Sequence, residues 1–205
     1  EKSFKLDKSR LLLSSLWNST IMAEVPNSSN TVPIIGSEFA RPQPSDLTII
    51  GDTVKDTDGN KVFKVKTPLF GLHNKRILVD PNDSPIVTMK MKVTSKHDRW
   101  QVYRGSDLDD KIFTVKRPST VQLKTRVEVF LKQNQTREVS CDFTIKGRFM
   151  KRACTIYVGD STKIIAQVHE GDDRLVTTIY PNVDSAFIVT LIFIFDLINM
   201  GGTGN

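Results

Sequence analysis

Eight cations stand at spacings that suit anion recognition. Lys90 and Lys92 lie two residues apart, as do Lys124 and Arg126, and Lys146 and Arg148. On an extended strand, residues i and i+2 share one face. Lys116 and Arg117 add a fourth pair, and the windows 111–127 and 146–152 contain no acid. Each basic residue held near an anionic leaflet contributes roughly 1 kcal/mol, so four to six neighbours give real, salt-sensitive binding. Lys90, Lys92, Lys116, Arg117, Lys124, Arg126, Lys146 and Arg148 are therefore the candidate lipid-head-group residues. The competing reading is a set of solubilising cations on wet strand faces, which are normally polar.

Other residue types offer less. His73, His97 and His169 are far apart, and none sits in an HExxH or HxxxH pattern. There is no nucleophile elbow and no glycine-rich phosphate loop. Asp107, Asp109 and Asp110 in "GSDLDD" lack the glycine and terminal glutamate of an EF-hand, so a solvated turn is expected. Cys141 and Cys154 fit no zinc spacing and make no disulfide framework. Both read as reduced, inert thiols. The triplets at Asn18, Asn27 and Asn134 match the glycosylation pattern but arise easily by chance. No catalytic residue, metal or cofactor is assigned, and the expectation is a non-enzyme.

Composition agrees with a soluble domain having an anionic partner. The chain has 205 residues, is 39% hydrophobic and 25% charged, and carries a net charge of +6. Nucleic acid is the weaker partner, because no recognition helix or aromatic platform accompanies the basic stretches. A monomer is expected, cytoplasmic and either peripheral at the plasma membrane or nuclear.

The elements that must position these cations are strands. "KVFKVK" (61–66) alternates apolar and basic residues. "PIVTMKMKV" (85–93) sets Val87, Met89, Met91 and Val93 against Lys90 and Lys92. In "HDRWQVYRG" (97–105), Trp100 and Val102 share one face, and a core tryptophan is the expectation. Turn clusters such as "DTDGN", "DPNDSP" and "GDDR" separate these runs. About nine to eleven strands fit this template, arranged as an antiparallel meander that closes or curls. Residues 1–45 read as a polar, Pro-rich arm, 46–200 as the domain and 201–205 as a tail. Translation is expected to begin at Met22, which sets residues 1–21 apart.

One run breaks the strand period. "SAFIVTLIFIFDLINM" (185–200) follows the cap-type residue Asp184 and precedes Gly201–Gly202. It makes roughly 24 Å of helix. Its strongly apolar part, Ala186–Phe195, is short for a bilayer. A helix apolar on every side must be enclosed on every side, and a barrel of about ten or more strands can hold one. A buried strand and a membrane segment are the alternatives.

These residues together resemble the plant LURP-one-related family. The resemblance rests on "VKDTDGNKVFKVK" (54–66), "PLFGLHNKRILVD" (68–80), "HDRWQVYRG" and "FTVKRPSTVQLKTRVEVFL" (113–131). "CDFTIKGRFMKRACTIYVGDS" (141–161), "IIAQVH" (164–169) and "YPNVDSAFIVTLIFIFDLIN" (180–199) follow in order. It covers about residues 40–199. It implies the fold of tubby C-terminal domains and phospholipid scramblases, about twelve antiparallel strands around a central hydrophobic helix. It also implies phosphoinositide binding, a membrane-tethered signalling role with links to transcription, and plant defence, with lipid scrambling as the alternative activity. Two stretches are shorter than the family pattern, Ile50–Thr53 and Glu170–Ile179. They predict a barrel with fewer strands, gaps or shortened strands, a partly uncovered helix and reduced stability.

Overall fold

The computed structural model describes residues 33–68, 74–92, 99–118, 124–134, 140–148 and 150–200. The side chains of Lys124 and Met200 lie outside this set, as do residues 1–32, His73, His97 and the tail. Twelve strands run in sequence order: β1 (Ser45–Ile50), β2 (Thr53–Lys55), β3 (Lys61–Lys66), β4 (Lys75–Val79), β5 (Pro85–Met91) and β6 (Arg99–Arg104). β7 (Lys111–Lys116), β8 (Lys124–Leu131), β9 (Phe143–Arg148), β10 (Cys154–Val158), β11 (Ile164–Glu170) and β12 (Leu175–Ile179) follow. Each pairs antiparallel with the next, and β1 pairs with β12, so the barrel closes.

Closure overturns the expectation of missing wall strands. Ser45 pairs with Ile179 and Ile49 with Leu175 across the seam. Within the two short stretches the strands are joined by brief turns, residues 51–52 and 171–174. Gly51, with φ 57°, allows β1 to turn directly into β2. Gly171 N–H donates to the Arg174 carbonyl at 2.8 Å and closes the β11–β12 hairpin. β2, which follows the first of these turns, has three residues.

Alternation decides which residues enter the interior. Phe63 and Val65 of β3, Trp100 and Val102 of β6, and Val127 and Val129 of β8 are all buried. Two turns at one end are shaped by aspartates. Asp56 Oδ1 accepts from the backbone N–H of Asp58 and Asn60, and Asp80 Oδ1 from those of Asn82 and Ser84. Such Asx turns fix tight hairpins without apolar help.

The apolar run is the helix α1 (Ser185–Met200), and it fills the barrel. Phe187, Ile188, Leu191, Ile194 and Phe195 are fully buried. Phe187 meets Phe113 edge-on at 5.2 Å between centroids and Phe143 at 5.0 Å. The strand and membrane readings of this run are thus replaced by an enclosed helix, because twelve strands supply apolar surface on all its sides.

Each end of α1 is tied by polar groups. At the start, Asp184 caps the helix, accepting from Phe187 N–H at 2.9 Å. The same carboxylate accepts from Ile35 N–H at 2.7 Å and Gly36 N–H at 3.1 Å, and Ser185 Oγ donates to the Phe39 carbonyl. Residues 35–40, assigned by sequence to a loose arm, are therefore stitched over this end. At the other end, Asn199 Oδ1 accepts from Thr125 Oγ1 at 2.7 Å. Its amide donates to the carbonyls of Arg148 (3.1 Å) and Lys151 (2.5 Å).

Helix and wall approach closely at Gly147 of β9. A Cβ there would lie 2.6 Å from the Phe195 ring and 2.9 Å from the Ala153 carbonyl oxygen. Gly147→Ala is expected to cost about 1–3 kcal/mol by overpacking. A thermal melt should fall by several degrees; an unchanged midpoint would mean that α1 shifts freely in the barrel.

Candidate functional site

Register decides which cations meet. β8 and β9 set Lys124 opposite Arg148 and Arg126 opposite Lys146. β6 and β7 set Arg99 opposite Lys116, and Lys92 N–H donates to the Arg99 carbonyl at 2.8 Å. Lys92, Arg99 and Lys116 therefore form a row across three neighbouring strands. Lys90 stands beside Lys75 of β4 and Gln101 of β6. Arg117 follows directly on Lys116 at the end of β7. The eight candidates thus fall into two groups on one wall, one centred on β5–β7 and one on β8–β9.

One cation of the second group is engaged by acids. Arg126 Nη2 bonds Asp160 at 2.5 Å and Glu128 at 3.2 Å. Burial pulls its pKa down, but these two carboxylates more than offset that and raise it. Asp160 is held below the usual carboxylate range, first by its hydrogen bond to Arg126. Arg126 is therefore a tied cation within the wall, not an open anion contact. Glu128 also stands opposite Lys116. The Lys146 ammonium sits 4.6 Å above the Tyr157 ring, and that of Lys116 sits 4.4 Å above Phe130. Phe130 follows the inward Val129 yet is buried, so its lysine covers an apolar spot on the outer wall.

Sequence reading missed Lys75 and left Arg99 and Lys151 out of the eight candidates, although Lys151 falls in the acid-free window 146–152. Arg99 was set aside because "HDRW" reads as a core-tryptophan motif, and Trp100 is indeed in the core. A period-2 count from Trp100 already turns Arg99 outward; what it lacks is the neighbouring strand. Tyr103 Oη donates to Gln101 Oε1 at 3.0 Å, and burial raises its phenol pKa.

The remaining sequence candidates resolve as structure. Asp110 of "GSDLDD" accepts from Arg104 at 3.1 Å and Lys132 at 3.0 Å, so the acidic turn is answered by side chains. Those hydrogen bonds lower its pKa, Lys132's first. His169 is exposed on β11. Among the described residues, no group of three His, Cys, Asp or Glu side chains is placed to hold a metal. A cleft of about 190 Å³ opens near the start of α1, lined in part by Glu38, Phe39, Arg41 and Phe63. None of the eight candidate cations lines it. No helix among the described residues is long and apolar enough to cross a membrane.

Both cysteines are buried and free. Burial pushes the Cys154 thiol up to about 12, with the Asp196 charge adding to it. A thiol so far from ionising is a poor nucleophile. Iodoacetamide at neutral pH is expected to leave Cys154 unmodified in native protein and to alkylate it in urea, read by peptide mass. Labelling at equal rates in both states would contradict the buried position.

Comparison with known proteins follows the same outline. A family model described as LURP-one-related matches residues 49–196. The chain is 89% identical over 177 residues to Protein LURP-one-related 13 of Arabidopsis thaliana, covering 86% of this chain and 96% of that one. It is 41% identical over 189 residues to Protein LURP1 of the same plant, covering 82% and 91%. An X-ray structure of an Arabidopsis thaliana protein matches with a TM-score of 0.66 and 40% identity, over 80% of this chain and 97% of that one. The alignment with LURP-one-related 13 uses 177 positions for 86% of 205 residues. It has no room for a long insertion, so that relative shares the two short connections. With the matching barrel, the central helix and these sequence matches, this chain belongs to the LURP-one-related family.

Proposed function

We propose that this protein is a non-enzymatic binding and signalling module. It docks on anionic phospholipid head groups, phosphoinositides among them, through the basic wall of β5–β9. The observation that carries this reading is the register, which gathers Lys92, Arg99 and Lys116 in one row and sets Lys124 opposite Arg148. Sequence spacing alone supplies pairs; strand pairing supplies neighbours. The protein acts as a monomer, since a closed barrel offers no free strand edge. It works in the cytoplasm, peripherally at the plasma membrane or in the nucleus. A role in plant defence rests on the family resemblance.

Lipid scrambling is the less favoured reading. It requires α1 to enter the bilayer, whereas Phe187, Ile188, Leu191 and Phe195 are wrapped by the barrel.

Liposome sedimentation tests the binding reading. The protein is expected to pellet with vesicles containing phosphoinositide and to stay in solution with phosphatidylcholine alone. Binding should weaken from low to moderate salt, because exposed charges are screened. Equal behaviour toward both vesicle types would refute the proposal.

A further inference from the structure

Charge is divided between the two ends of the barrel. Because neighbouring strands alternate in direction, the connections fall in two sets. The turns at the start of α1 carry Asp56, Asp80, Asp83, Asp107, Asp109 and Asp110. The opposite end, where Asn199 is tied to β8 and the β9–β10 turn, collects Lys92, Arg99, Lys116, Arg117, Arg148 and Lys151. Among the described residues, the acids at this basic end lie in another sector; by sequence, Asp98 also belongs to the β5–β6 connection, next to Arg99. Asp52 pairs with Lys64 at 3.8 Å, and Glu170, Asp172 and Asp173 sit around the β11–β12 hairpin. The positive face is therefore the rim of β5–β10.

That rim carries an exposed apolar tip. Met150, in the turn between β9 and β10, is 50% exposed and has φ 59°. The turn is closed by Lys151 N–H donating to the Arg148 carbonyl at 3.1 Å. It is held from inside as well. Asn199 takes both of these residues' carbonyls, and Arg152 pairs with Asp196 of α1 at 2.9 Å. Met150 thus stands half exposed in a left-handed turn between Arg148 and Lys151, on a turn braced by the buried helix.

Resting on the lipid-binding reading above, we propose that the barrel docks end-on to an anionic bilayer. The rim at the C-terminal end of α1 faces the lipid, Met150 enters the head-group and acyl boundary, and the acidic end points away. Charge complementarity selects the bilayer as occupant. A cationic ring attracts the anionic leaflet, an apolar tip among cations gains from shallow burial, and the aspartates at the far end are repelled. A free inositol phosphate would satisfy the cations but would leave Met150 in water.

The test compares two charge-matched variants and one label. Vesicles are phosphatidylcholine alone, or phosphatidylcholine with phosphatidylserine or phosphoinositide. Arg148→Gln with Lys151→Gln removes two rim charges while leaving the backbone carbonyls that Asn199 holds. Lys61→Gln with Lys163→Gln removes two charges at the acidic end. The rim pair is expected to lower partitioning onto anionic vesicles by about thirty-fold, and the far pair to change it less than about twofold. A polarity-sensitive dye on Met150→Cys should shift to the blue on anionic vesicles, and the same dye on Asp107→Cys should not. Equal losses from both pairs, or equal dye shifts, would overturn the end-on orientation while leaving lipid binding intact. Binding of soluble inositol phosphate that abolishes the dye shift without rim dependence would also overturn it. No partitioning of the unaltered protein onto any vesicle would overturn both this proposal and the reading beneath it.

Discussion

Phe187→Ala is expected to lower stability by about 3–5 kcal/mol, the usual range for an aromatic removed from a packed core. Phe187 is fully buried, and its ring contacts Phe113 of β7 and Phe143 of β9. The substitution removes apolar contact on two wall strands at once. The barrel cannot collapse inward to fill the space, because its strands are hydrogen-bonded into a closed ring. Against a typical total of roughly 5–15 kcal/mol, this loss leaves the fold marginal. Urea unfolding measures it. A midpoint shift equivalent to less than about 1 kcal/mol would show that the helix is not the packing centre of the barrel.

Asp184→Ala is expected to have a comparable effect through different physics. One carboxylate serves the helix start and the segment 35–36 together, accepting from Phe187, Ile35 and Gly36. Loss of a helix cap costs about 0.5–2 kcal/mol. Each buried N–H left without an acceptor adds about 1–3 kcal/mol. The segment around Ile35 should then detach and become a site of limited proteolysis, whereas Phe187→Ala should not expose it selectively. Resistance of that segment in the Ala variant would contradict the tethering role.

The same carboxylate gives a pH dependence with a definite sign. Burial raises the Asp184 pKa, against the pull of its backbone donors. The folded state therefore holds this proton more tightly than the unfolded one. The proton-linked part of Asp184's contribution is fully present below its ordinary value near 3.8 and is lost as pH rises through the elevated value, while the cap and tether bonds of the carboxylate remain. The penalty of Asp184→Asn should accordingly be larger at low pH than at neutral pH. Asp83, Asp110 and Asp160 act in the opposite direction, since their lowered values favour the fold above the carboxylate range.

How far the sequence carried depended on whether a feature was local. Strand alternation is a property of consecutive residues, so Phe63, Val65, Trp100 and Val102 could be assigned inward from spacing alone. The uniform apolarity and short length of residues 185–200 marked an enclosed helix. The shortened connections misled, because residue count does not say whether a turn or a strand has been lost; Gly51 and Gly171 let the chain turn tightly and keep all twelve strands.

The cations show the same division. Their identities and pairwise spacing were legible, but their company was not. Arg126 looked equivalent to Lys124 until Asp160, thirty-four residues away in sequence, came within hydrogen-bonding distance. Arg99 became part of a basic row only when β5 and β7 flanked it. Gly147 is required by the Phe195 ring, which no local pattern announces. The sequence by itself determined which residues face inward and where the helix lies, because those follow from the periods of strand and helix. Only the tertiary structure decided which cations are neutralised, which end of the barrel is positive and that the ring closes. Those outcomes depend on pairing between distant segments, and register is a property of two strands rather than one.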